Sequence, residues 1–160
     1  MRWGLFAALL VMAYFGQTML IGRLGWNAID LFLILACAVS FGANRHDARI
    51  AAWLTGFVQD LGSTGPLGVH AFALGAASVF VTVARGWADG RVWWIRAIIA
   101  FIAALIAEAV LWVADPAAGD VLIRRALSTA TVTAIALTLL GVAPLWLGWR
   151  GRRWSFVSGR

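Results

Sequence analysis

The chain is poor in charge. Only 12% of its 160 residues are Asp, Glu, Lys or Arg, against about a quarter in an ordinary soluble domain. It has no lysine, so all 13 basic residues are arginines, and it has one cysteine, one tyrosine and 3 prolines. Each scarcity excludes something. So few charges cannot cover a surface that faces water, so most of the outer surface must face lipid. A single cysteine, Cys37, cannot close an internal disulfide. Set inside an apolar run, it reads as a small buried side chain rather than a reactive thiol. The two histidines, His46 and His70, have no second His or Cys at ligand spacing, so no metal site is expected.

Catalytic patterns are equally scarce. Gly62, Gly65 and Gly68 lack the strand and the Lys that a phosphate-cradling loop needs. No nucleophile–base pair appears, and an enzyme would have to be assembled from Asp60, His70 and Glu108 alone. The expectation is therefore a protein without catalytic residues, metal or cofactor. The net charge is +6, and a basic balance can indicate nucleic acid. Here the arginines sit between apolar runs rather than on one polar face, so they read as membrane topology and no nucleic-acid partner is expected.

What the chain has in quantity is apolar sequence: 62% hydrophobic residues and a mean hydropathy of +0.87. The runs predict one transmembrane domain over 1–160, all-α and polytopic. Its helices are expected at about 3–22, 28–43, 48–61, 67–84, 95–114 and 121–147, with a basic tail over 148–160. Six crossings of about 20 residues use roughly 120 residues and leave only short loops. The first run exceeds the 7–15 apolar residues of a signal peptide and reads as a retained helix. Gln17, its one amide, is expected near the outer interface; the alternative is a contact with a neighbouring helix. Asn27 suits an N-cap for the second helix. That puts Asp30 at the third helical position, where it can reach back to the cap and meet the positive end of the helix dipole. The third run is too short for a perpendicular crossing of about 30 Å. The fourth carries two small-x-x-x-small pairs, Ala71 with Gly75 and Ala73 with Ala77, which suit close helix packing. Asp120 reads as the N-cap of the sixth.

Three ionisable groups lie at or within the apolar runs on the outer side. Glu108 lies roughly 9 Å from the end of the fifth helix at 1.5 Å per residue. It is expected to pair with Arg124 or Arg125 and pin the last helical hairpin; the alternative is a proton- or ligand-binding carboxylate. Asp60 has Arg23 as its most available counter-charge. Asp60 and His70 are expected to satisfy each other and the broken backbone between Gly62 and Gly68; the alternative is an outward-facing polar pocket.

Orientation follows from counting. With six spans, Arg2, Arg45, Arg49, Arg85, Arg91, Arg96, Arg150, Arg152, Arg153 and Arg160 share one side, and Arg23, Arg124 and Arg125 the other. That split puts both termini in the cytoplasm by the positive-inside rule. The 10 tryptophans (Trp3, Trp26, Trp53, Trp87, Trp93, Trp94, Trp112, Trp146, Trp149 and Trp154) are all expected near helix ends, as an aromatic belt.

One stretch is not generic. Gly56-Phe57-Val58-Gln59-Asp60 is followed by Gly65-Pro66-Leu67-Gly68-Val69-His70-Ala71. Here the chain resembles the rod shape-determining MreD family, which has a Gly-Phe, then Asp, then Pro-Leu-Gly pattern in this place. Asp30-Leu31-Phe32-Leu33 is similar to the family's Asp-Leu-Leu run. The Arg-Pro often seen after the second helix is replaced by Gly42-Ala43-Asn44-Arg45, a departure that bears on the shape of that turn. The resemblance implies a non-enzymatic subunit of the cell-elongation machinery in a bacterial inner membrane. Such a subunit would bind MreC and support lateral peptidoglycan synthesis. Through MreC it would reach the peptidoglycan polymerase and transpeptidase pair and the MreB filament. The family is also similar in fold to the substrate-binding subunits of energy-coupling-factor vitamin transporters. That supplies an alternative: a small-molecule binding subunit with a pocket near Asp60, His70 and Glu108. The short outer connections and few polar groups favour the first.

The basic tail reads as an anchor on anionic lipid rather than a dock for a cytoplasmic filament. Truncation after Leu147 is therefore expected to leave complex assembly unchanged. Loss of assembly in a pull-down of the truncated chain would favour filament docking.

Overall fold

The computed structural model describes residues 3–21, 29–63, 65–87, 93–114 and 119–146. These form six α-helices and, among the described residues, no strand. The first, α1 (Trp3–Phe15), continues as a π-helical segment (Gly16–Ile21). Then follow α2 (Leu31–Gly42), α3 (Arg45–Leu61), α4 (Val69–Trp87), α5 (Trp93–Ala114) and α6 (Gly119–Trp146). The most extensive pairings are the sequence neighbours α5 with α6 and α3 with α4, while α2 touches each of the other five helices.

The interior is made of small residues. Ala36, Ala52, Ala73, Ala77, Ala100, Ala103, Ala104, Ala107 and Ala130 lie in the core cluster, with Leu33, Cys37 and Val81 among them. Ser40, Thr55, Ser78 and Thr82 are buried too. Met12, Phe72, Val113, Ile123 and Leu139 point outward instead. Large apolar side chains outside and small ones inside reverse the water-soluble pattern. The arrangement suits lipid, where helices associate by close backbone approach rather than by burying bulk.

Among the described residues three helices are long and apolar enough to cross a membrane, by length and composition: Val69–Gly86, Trp94–Ala114 and Ile123–Leu140. They mark the chain as a membrane protein. The apolar segments Trp3–Met19 and Leu31–Gly42 are shorter. At 1.5 Å per residue α2 is about 18 Å long, well short of a ~30 Å hydrocarbon core. The expected six crossings thus meet the length criterion in three helices.

Several boundaries differ from expectation, each for a local reason. α3 begins at Arg45 rather than near residue 48, with Asn44 at its N-cap position. α2 begins at Leu31 because Asp30 is itself the N-cap: its Oδ1 accepts from the amides of Phe32 and Leu33 at 2.9 and 3.1 Å. The expected third helical position for Asp30 is therefore replaced by the cap position, and Asn27 lies outside the described residues. Asp120 lies inside the first turn of α6, not before it. Trp53 sits in the middle of α3 rather than near an end, stacked on Phe57 at 5.6 Å. Trp26, Trp149 and Trp154, Arg23 and the basic tail lie outside the described residues.

The closest crossing is between α3 and α4. A Cβ at Gly56 would collide with the His70 carbonyl and lie 2.6 Å from the Ala71 nitrogen. Both obstacles are backbone and cannot rotate away. Ala71 is buried against this point, and Gly75, one turn on, lies beside Trp53. Gly56→Ala is expected to destabilise the protein by about 1–3 kcal/mol, the cost of overpacking. Gly42→Ala, where a Cβ meets nothing within 4 Å, should stay within about 0.5 kcal/mol of wild type. Thermal unfolding in detergent, followed by tryptophan fluorescence, compares the two.

Candidate functional site

At one end of the bundle the polar groups of four segments converge. The π-helical turn after α1 widens the helix just where Gln17 leaves it. Gln17 donates from Nε2 to the Ile29 carbonyl at 3.0 Å and accepts from the Leu31 amide at 2.9 Å. It thereby clamps the extended backbone that leads into α2. Asp30 then caps α2 with one oxygen and accepts from Gln59 Nε2 with the other, at 3.1 Å.

Asp60 is the most heavily engaged group. Oδ1 accepts from the His70 amide at 3.0 Å and from His70 Nδ1 at 2.8 Å. Oδ2 accepts from the amides of Gly68 at 2.9 Å and Ala71 at 3.1 Å. Four donors call for an ionised carboxylate, since a protonated oxygen would set O–H against N–H. The geometry is an N-cap supplied from another helix. The first four N–H groups of α4 have no intrahelical acceptor, and the residue at the cap position, Gly68, has no side chain to offer. Gly68 is glycine for a reason of its own, since its φ of 98° is in the left-handed region that other residues enter at a cost. Asp60 fills the missing role from the last turn of α3. Its side chain is 0% exposed and that of His70 22% exposed. Because the carboxylate has no proton to give, His70 Nδ1 is the donor, and Nε2 is left toward the partly open side.

The linking loop is tied down on the same residue. The Ser63 amide and hydroxyl both bond the Asp60 carbonyl, at 3.1 and 3.0 Å. Gly65, Pro66 and Leu67 are exposed, so this part of the motif shapes the turn and presents it outward. Phe57 is also exposed and belongs to the outer face of α3 with Trp53.

Glu108 lies on α5, 4% exposed. The charges of Arg125, Asp30 and His70 act on it, and Thr129 on α6 faces its carboxyl. The expected ion pair is not formed: among the described residues no arginine approaches Glu108 within ion-pair distance, and Arg124 and Arg125 are both exposed. Two long side chains near the end of α6 have turned toward solvent or headgroups, where a guanidinium is far less costly than inside. Glu108 Oε2, Thr129 Oγ1, Thr133 Oγ1 and Gln59 Oε1 are buried without a hydrogen-bond partner. The contrast along α6 is informative. Thr131 and Thr138 return their hydroxyls to the carbonyl one turn back at 2.7 Å; Thr129 and Thr133, on the inward stripe, do not.

The structure thus brings Asp30, Asp60, His70 and Glu108 to one end and leaves Arg124 and Arg125 outside the cluster. Sequence reasoning passed over Gln59 and the two threonines. An i, i+4 hydroxyl pair in an apolar helix was the available signal for the second. Among the described residues no group of His, Cys, Asp and Glu is arranged to hold a metal. Comparison with family models, with curated proteins and with solved structures found no match for this chain.

Asp60→Ala removes the cap of α4 and leaves three N–H groups unpaired, that of Ala71 buried and those of Gly68 and His70 partly buried. A lost cap costs about 1 kcal/mol and a buried unpaired donor about 1–3 kcal/mol, so a total near 3 kcal/mol is expected. Asp60→Asn should lie between, because it keeps one acceptor oxygen but turns an N–H₂ toward backbone donors. The check is the unfolding temperature in detergent together with the level of protein in the membrane.

Proposed function

We propose that the chain is a non-enzymatic, multi-pass subunit of the bacterial cell-elongation complex in the inner membrane, of MreD type. It has six spans, both termini are cytoplasmic, and the fold is similar to that of energy-coupling-factor substrate-binding subunits. It binds MreC directly. Through MreC it supports lateral peptidoglycan synthesis by the polymerase and transpeptidase pair along the MreB filament.

The observation that carries this reading is the use made of the motif. Gly56 is the close crossing of α3 and α4, Asp60 caps α4, and Gly68 supplies the left-handed turn. Both oxygens of the Asp60 carboxylate are consumed by the fold. A motif spent on rigidity, ending in an exposed Gly65-Pro66-Leu67 turn, suits a scaffold that presents a surface to a partner. The arginine split supports the orientation.

A second reading has an observation in its favour. Buried oxygens without partners, at Glu108, Thr129 and Thr133, are costly and suit a small-molecule binding subunit whose ligand supplies the missing donors.

Affinity purification of the tagged full chain from bacterial membranes separates the two. Co-elution of MreC, retained in Glu108→Gln, is the expected result. Retention of a vitamin by the purified chain in detergent, lost in Glu108→Gln and without MreC, would replace the first reading by the second.

A further inference from the structure

The opposite end of the bundle gathers positive charge. There α2 ends, α3 begins and α4 ends. Arg85, half-buried, donates from Nη1 to the Ser40 carbonyl at 2.6 Å. Arg49 donates from Nε to the Thr82 hydroxyl at 3.4 Å. Arg45 lies across the end of α4, where its Nη2 comes within 2.9 Å of the place a Cβ would take at Gly86. The charges of Arg45 and Arg85 act on each other. Asp47, in the first turn of α3, is the acid of this end among the described residues and has a partner of its own; His46 is exposed.

Among the described residues three guanidinium groups on two helices therefore converge, against one carboxylate. Like charges repel, most strongly where water is displaced, and the fold has not separated them. Each guanidinium has five N–H donors. Among the described residues the fold uses one of Arg85 and one of Arg49, for Ser40 and Thr82. The remaining donors suit an anion with several oxygens, and guanidinium forks match phosphate in shape as well as charge.

The surroundings choose among phosphates. From the Arg49–Thr82 contact the joint of α3 and α4 continues as an exposed apolar strip. Ile50 and Trp53 stand on one side, Val79 and Val83 on the other. Trp53 Cδ1 lies 3.8 Å from the Cβ place of Gly75, so the strip bridges both helices. A free anion would use only the arginines. A molecule with a phosphate head and an acyl chain uses both.

We propose that Arg45, Arg49 and Arg85 form a site for the phosphate headgroup of an anionic membrane lipid, with an acyl chain along Trp53 and Val79. The site is independent of which protein partner the chain has. Basic pockets between helices on the cytoplasmic side are suited to such headgroups.

The test is native mass spectrometry of the full chain, purified from nanodiscs of phosphatidylcholine with phosphatidylglycerol. The wild type is expected to retain phosphatidylglycerol in preference to phosphatidylcholine. At about fivefold per arginine near a membrane surface, Arg45→Gln should lower retention about fivefold, and Arg45→Gln with Arg49→Gln about twenty-fivefold. Both side chains are exposed, and Arg85 keeps its bond to Ser40, so these variants should unfold near the wild-type temperature. Unchanged retention in the Arg45 and Arg49 double variant would overturn the proposal. So would equal retention of phosphatidylcholine. Displacement by millimolar inorganic phosphate would also overturn it, in favour of a soluble anion.

Discussion

A helix that begins among apolar neighbours leaves its first N–H groups without water, and each one unpaired is costly. α4 begins in that position and has no cap of its own, because Gly68 must be glycine to make the left-handed turn. The Asp60 carboxylate resolves the conflict from across the loop, with three backbone donors and one imidazole. That interaction needs the last turn of α3 and the first turn of α4 to touch. They touch because Gly56, one turn earlier, has no side chain to hold them apart. Close approach and cap are thus one device: the glycine brings the donors within reach, and the carboxylate makes the approach worth keeping.

The rest of the bundle is built to the same rule. Its core is rich in alanine, serine and threonine, so backbones come close, and several hydroxyls, though not those of Thr129 and Thr133, return to their own helices. Ser40 bonds Ala36 and Ser78, and Thr55 bonds Ala51. The bulk lies on the outside, where lipid solvates it. α2, at about 18 Å the shortest of the apolar segments once α1 is joined to its π-helical turn, is surrounded by the other helices. Its entry is held by Gln17 and Asp30 rather than by length.

Among the described residues the ionisable side chains gather toward the two ends, and the ends differ in kind. One end is rich in acceptors: Asp30, Asp60, Glu108 and the inward threonines. The other is rich in donors: Arg45, Arg49 and Arg85. At the acceptor end Asp60 and Asp30 are fully used, while Glu108, Thr129 and Thr133 keep buried oxygens unpaired. The donor end keeps free guanidinium N–H groups beside an apolar strip. Each end therefore has groups the fold has not consumed, facing opposite chemistries. A scaffold subunit and a lipid-held subunit are compatible uses of one such bundle.

The sequence by itself determined the solvent, the helical class and the rough places of the helices. Those follow from local composition: long uncharged runs force helices, and scarce charge forces lipid. It also set Asp60 and His70 ten positions apart across a glycine-rich turn, which brings two helix ends together. Only the tertiary structure decided what those groups do. No run of letters reports that Gly56 faces a backbone rather than a side chain, or that one carboxylate caps a helix not its own. For the same reason Glu108 could be matched on paper to Arg124 or Arg125 by depth alone. Depth is a property of the helix axis, whereas pairing depends on rotation about it. The rotation of α6 turns Thr129 toward Glu108 and the arginines outward. Helix boundaries near polar residues shifted likewise, because a cap is defined by where a side chain can reach.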